Sequence, residues 1–147
     1  MKHIKFIVIL IPLILSFTVK AKIDIKPKTD REIYNLMIGS WVVAPDDPTY
    51  SNSGGAISTY HTNGSVDFKQ FKDTACKIPF FSTKASWNIQ NKKLIIKVLS
   101  STRSDLHPTG LVVIDKVKNI NKKSAILKTS SGKLQYRIHS NKCVVKK

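Results

Sequence analysis

From Trp41 to Ser140 the chain runs in short segments whose apolar residues recur at every second position. That period constrains the fold more than any other feature, because it turns alternate side chains to opposite faces of a strand. The segments are Trp41–Ala44, the two halves of AISTYHTNGSVDFKQF (56–71), ASWNIQ (85–90), KLIIKVLS (93–100), GLVVIDKVKNI (110–120), SAILKTS (124–130) and KLQYRIHS (133–140). Eight short strands joined mostly by tight turns imply an antiparallel sandwich or barrel. In up-and-down order eight strands close well, and closure removes the exposed sheet edges. The predicted fold class is all-β, an eight-stranded antiparallel up-and-down barrel.

Asn63-Gly64 suits a two-residue type I′ turn, whose central residues both need positive φ. In that register His61 faces Val66, Thr59 faces Phe68 and Ile57 faces Gln70, placing Ile57, Thr59 and His61 on the inner face with Phe68. The same alternation turns Trp87, Ile96 and Tyr136 inward. These seven residues are the predicted lining for a small hydrophobic or amphipathic ligand. The rival expectation is that large side chains fill the interior to ordinary packing density. Ahead of the strands, Thr29 and Glu32 have capping-box spacing. Ile33, Leu36 and Met37 then recur at helical spacing and Gly39 stands as terminator, so a short N-terminal helix is predicted.

Before the helix, Lys2 and Lys5 precede an apolar run from Phe6 to Phe17, and Val19 and Ala21 have the spacing of a signal-peptidase site. The run is short for a membrane span, which needs about 20 apolar residues. Residues 1–21 read as a signal peptide for Sec export to the periplasm or outside, and residues 22–147 as one domain. In an oxidising compartment Cys76 and Cys143 suggest one disulfide, with two free thiols as the alternative. Their wide spacing, without paired histidines, argues against zinc.

Gly39-Ser40-Trp41, following a short helix and opening the first of eight strands, resembles the G-x-W motif of the lipocalin-like (calycin) barrels. The absence of a long C-terminal helix makes the chain similar to the shorter bacterial lipocalin-like domains. The resemblance implies that Trp41 closes one end of the barrel and packs against an arginine of a late strand, here Arg137. It also implies structural roles for Gly39, Trp41 and Arg137, and pairing of Cys76 with Cys143, which is similar to the family's frequent disulfide. Function is then expected at the opposite end, with the long loops that follow the first and fifth strands.

The formal net charge is +16, and from Lys116 to Lys147 there are ten basic residues and no acid. Lys116, Lys118, Lys122, Lys123 and Lys128 form a candidate contact surface for an anionic membrane, unless they serve only solubility. Aromatic residues are not interleaved with these lysines, which disfavours nucleic acid. No metal-ligand spacing, nucleophile elbow or phosphate loop occurs, and adjacent Asp46 and Asp47 suit a turn. The expectation is a monomeric, non-catalytic binding protein without a cofactor.

Overall fold

A computed structural model of the chain describes residues 27–48 and 54–145; the segment read as a signal peptide lies outside them. Helix α1 (Asp30–Met37) is followed by β1 (Gly39–Val43), β2 (Ala56–Tyr60), β3 (Ser65–Phe71), β4 (Pro79–Gln90), β5 (Lys93–Ser101), β6 (Val112–Ile120), β7 (Ser124–Lys128) and β8 (Leu134–His139). The strands pair antiparallel in sequence order and β8 returns to β1, closing the barrel. β4 starts six residues before the predicted segment, adding Phe80 and Phe81 to the sheet.

Local chemistry explains the helix. Thr29 Oγ1 accepts from the Glu32 backbone N–H at 3.2 Å, while the Thr29 N–H donates to Glu32 Oε2 at 2.6 Å. This capping box satisfies donors that an eight-residue helix would otherwise leave orphaned. At the other end Trp41 Nε1 donates to the Met37 carbonyl at 2.8 Å, tying the helix terminus to β1. The helix ends at Met37, and Gly39 is already the first residue of β1, with φ +113°. A Cβ at Gly39 would also run into the His139 ring, so glycine is required on both counts. The buried face of α1, Ile33 and Met37, joins Trp41, Tyr60, Trp87 and Leu94 in a core that seals this end of the barrel.

The β2–β3 hairpin departs from the expected register. Gly64 N–H donates to the His61 carbonyl at 3.1 Å, and His61 N–H to the Ser65 carbonyl at 2.9 Å. Thr62, Asn63 and Gly64 therefore make a three-residue loop, with Gly64 at φ +79° and Asn63 Oδ1 accepting the Ser65 N–H at 3.0 Å. Tyr60 pairs with Val66 and Ser58 with Phe68. The one-residue slip reverses every β2 side chain: Ala56, Ser58 and Tyr60 point in, while Ile57, Thr59 and His61 point out. A two-residue turn with both residues at positive φ occurs instead at Asn91 (φ 52°) and Lys92 (φ 58°), between β4 and β5. The Asp30 carboxylate accepts both of their backbone N–H groups, at 2.7 and 2.8 Å, and so clamps the helix to this turn.

β8 is reversed as well. Gln135 and Arg137 line the interior, and Tyr136 points outward opposite Ile126 of β7. The tail after β8 hydrogen-bonds β1 through Ser140 N–H to the Ser40 carbonyl, and three residues on Cys143 bonds Cys76, with a Cα separation of 5.9 Å. The bridge sits against Gly55, where no Cβ would fit. Closing so long a loop is worth about 4 kcal/mol in the chain-entropy model. A disulfide fits an oxidising, extracytoplasmic setting. Among the described residues no helix is long and apolar enough to cross a membrane.

Candidate ligand cavity

Above the sealed end the barrel encloses a cavity of about 330 Å³. It exists because several strands present small residues inward: Ala56 and Ser58 on β2, Ala85 on β4 and Ala125 on β7. Eight-stranded barrels have just enough interior for side chains to fill, so small residues there leave room. Phe68, Ile96, Val98 and Val113 supply apolar wall. By the up-and-down order the loops after β3, β5 and β7 share the open end with the described residues that follow β1, and the β5–β6 loop folds His107 back over it.

That mouth is aromatic. The Phe68, Phe81 and His107 rings lie 5.0–5.8 Å apart by centroid. Phe80 stands outside Phe81, at 5.2 Å, and carries the Arg103 guanidinium over its face at 5.2 Å. His107 Nδ1 is 3.0 Å from Thr83 Oγ1, which holds the ring in place, and partial burial pushes its pKa down. At neutral pH the mouth therefore presents an uncharged imidazole.

Polar groups gather on three strands that the barrel brings together. Arg137 of β8 donates to Asp47 Oδ2 at 3.3 Å, to Gln135 Oε1 at 2.8 Å and to the Tyr136 carbonyl at 3.2 Å. Asp47 lies in the loop after β1, has no side-chain exposure, and accepts the Tyr136 N–H at 2.7 Å. Tyr60 of β2 is buried, which pushes its phenol up to about 12. Asp115 of β6 faces the same space with 6 % exposure, and burial raises its pKa against the opposing pull of Arg137. Among the described residues no hydrogen bond or ion pair of its carboxylate occurs, and Arg137 acts on it through charge alone.

Of the residues predicted to line the interior, Phe68 and Ile96 are in the cavity wall. Trp87 points inward but belongs to the sealed end. It stacks on Tyr34 at 4.3 Å, meets Tyr60 edge-on at 5.1 Å, and donates to the His61 carbonyl at 3.1 Å. Ile57, Thr59, His61 and Tyr136 are on the outer surface, because of the slipped hairpin and the reversed β8. There Thr59 Oγ1 lies 2.9 Å from Ser40 Oγ, and His61 Nε2 2.9 Å from Asp67 Oδ2.

Trp41 and Arg137 both line the cavity, one inward position apart on adjacent strands, and each has a partner of its own. Trp41 is 2 % exposed and meets the His139 ring edge-on at 5.0 Å, His139 being its cross-strand partner. Arg137 sits opposite Val43, one inward position further along, and is spent on Asp47. Sequence reasoning missed Asp115, Asp47 and Tyr60. For Asp115 there was a signal: in VVIDKV it falls in phase with Val113 and Val117, an acid on the buried side of its strand.

Lys116, Lys118 and Lys128 point outward, and Lys122 and Lys123 lie at or beside the β6–β7 turn. Lys93 of β5 pairs directly with Lys116, and Lys116 with Lys128, so three lysines stand abreast on adjacent strands.

No protein-family model matches the chain, and no curated protein does. Among solved structures it is similar to a lipocalin-like protein from Bacteroides uniformis, at 12 % identity and a TM-score of 0.50, over 71 % of this chain and 99 % of that one. With the closed eight-stranded barrel and its preceding helix, this likeness shows a lipocalin-like fold.

Proposed function

We propose that the protein is an exported, non-catalytic binding protein that holds one small amphipathic molecule inside its barrel. The observation that carries this reading is the cavity itself, about 330 Å³ with apolar walls, a cluster of polar groups on one side and an aromatic mouth. It falls at the lower end of the range for small-molecule sites, about 300–1,000 Å³. A chain selected only for packing would have used larger residues at Ala56, Ser58, Ala85 and Ala125. The disulfide supports the export part of the reading.

Titration with N-phenyl-1-naphthylamine, an uncharged probe that brightens in apolar surroundings, tests it. The expected result is saturable binding, weakened about tenfold or more by Phe68→Ala, which removes one wall of the mouth. Absence of saturable binding by the folded protein overturns the reading.

A second reading has its own observation. Like charges directly opposite one another destabilise a sheet, yet Lys93, Lys116 and Lys128 stand side by side. An anionic lipid surface would relieve that repulsion, at about 1 kcal/mol per lysine. Sedimentation with phosphatidylserine vesicles at low and high salt tests it, with binding expected at low salt only and lost when the three become glutamine. Salt-insensitive binding, or none, removes this reading.

A further inference from the structure

We infer that the cavity selects a molecule with a protonated amine, which pairs with the Asp115 carboxylate while its apolar body extends along Ile96 and Phe68 toward the mouth. The inference rests on the binding reading above and adds the chemistry of the head group.

Three observations support it. First, the charges inside do not balance. Arg137 is matched by Asp47 at 3.3 Å, which leaves Asp115 as a second acid in a protein whose overall formal charge is +16. Second, the Arg137 guanidinium, the cation that faces Asp115, directs three of its N–H groups to Asp47, Gln135 and the Tyr136 carbonyl and makes no hydrogen bond to Asp115. An ionised carboxylate only accepts, so a partner must bring protons. Third, the position is costly. Asp115 is 6 % exposed, lines the cavity and makes no hydrogen bond, so its carboxylate is held against a desolvation cost that only Arg137 offsets, which is the expected mark of a binding group.

The alternatives fit less well. An anionic head group would meet Asp115 as a like charge and find Arg137 already neutralised. A neutral alcohol could donate one hydrogen bond but would leave the charge uncompensated. An ammonium group supplies both donors and charge, and charge-assisted bonds are the stronger kind. The eight-carbon amines are short enough for a cavity of this size, with the chain against the Phe68 and His107 rings that line it.

The test is calorimetric titration of the purified protein with n-octylamine, 1-octanol and octanoate at pH 7.5. Octylamine is expected to bind about tenfold or more tighter than octanol, and octanoate more weakly than either. Asp115→Asn, which keeps the shape and removes the charge, should erase the advantage of the amine over octanol. A second measurement needs no variant: in the wild type, octylamine affinity should fall between pH 7.5 and pH 4 as Asp115 takes up a proton, while octanol affinity holds. Of the other groups facing this space, Arg137 and Tyr60 keep their protonation states across that range. His107 does not, so the series is repeated in His107→Gln.

If octanol binds as well as octylamine, or if Asp115→Asn leaves the amine's advantage intact, the head-group inference is overturned and the cavity reading stands. If none of the three compounds binds, both fall.

Discussion

Arg137 of β8 and Asp47 of the β1–β2 loop, 90 positions apart, meet inside the barrel wall with Nη1 and Oδ2 separated by 3.3 Å. The same carboxylate oxygen accepts the Tyr136 N–H at 2.7 Å, so Asp47 also supports the backbone of the last strand where it joins the first. Closure of the sheet thus depends partly on one buried acid. Asp47→Ala should destabilise the protein by about 3–5 kcal/mol, because it strands a largely buried guanidinium and a backbone donor. The double variant Asp47→Leu with Arg137→Met should recover most of the loss, since a well-packed apolar pair replaces a buried ion pair at little cost. Urea unfolding of the two variants against the wild type measures both effects.

Tyr60 provides an alkaline signature. Its phenol titrates near 10 in the unfolded chain and is pushed up to about 12 in the fold, so the native state holds this proton more tightly. The resulting stability is fully present below pH 10 and is lost as pH rises from 10 to 12, by about 2–3 kcal/mol. Tyr60→Phe should flatten the loss of stability over that window. Phenolate absorbance near 295 nm should show one tyrosine ionising only at the high end or together with unfolding.

The architecture could be read from the sequence because it depends on local signals. Alternation marked the strands, Thr29 and Glu32 marked the helix start, and two cysteines in a chain read as exported suggested a bridge. Which face points inward is a different kind of information. Asn63-Gly64 is compatible with a two-residue and a three-residue loop, and the difference of one residue exchanged Ile57, Thr59 and His61 for Ala56, Ser58 and Tyr60. In KLQYRIHS the apolar set lies outside, because Arg137 finds its counter-charge in a loop far away in sequence. No periodicity within β8 could show that partner. The hollow has the same origin, since it follows from small residues meeting across strands that are distant in the chain.

The β4–β5 turn is strained and then compensated. Asn91 and Lys92 both have positive φ, a conformation that costs an ordinary residue about 1–2 kcal/mol. The Asp30 carboxylate offsets this by accepting both N–H groups from the first turn of the helix. Lys92→Gly should therefore stabilise the protein by about 1 kcal/mol. Asp30→Ala should destabilise it by about 1–3 kcal/mol, and protection of the Asn91 and Lys92 amides from hydrogen exchange should drop with it. If those amides exchange unchanged in Asp30→Ala, the clamp is not what holds the helix to the barrel.

Asp115 should show the opposite of an ordinary structural residue. Burial raises its pKa above the usual carboxylate value, so the folded state resists its ionisation. By linkage, the stability associated with the protonated acid is present below the unfolded pKa near 4 and is lost as pH rises through the folded pKa. At neutral pH the wild type bears the cost of an unpaired buried charge, and Asp115→Asn should be more stable by about 1 kcal/mol. Below pH 4 the two should converge, because both are then neutral at this position. A saturating amine should reverse the order at neutral pH, raising the Tm of the wild type more than that of Asp115→Asn, since a ligand that binds only the native state stabilises it by mass action in proportion to its affinity. Thermal unfolding followed by circular dichroism at pH 3.5 and 7.5, with and without n-octylamine, reads all four comparisons. A variant less stable than the wild type at pH 7.5 without amine would mean that Asp115 has a structural partner after all.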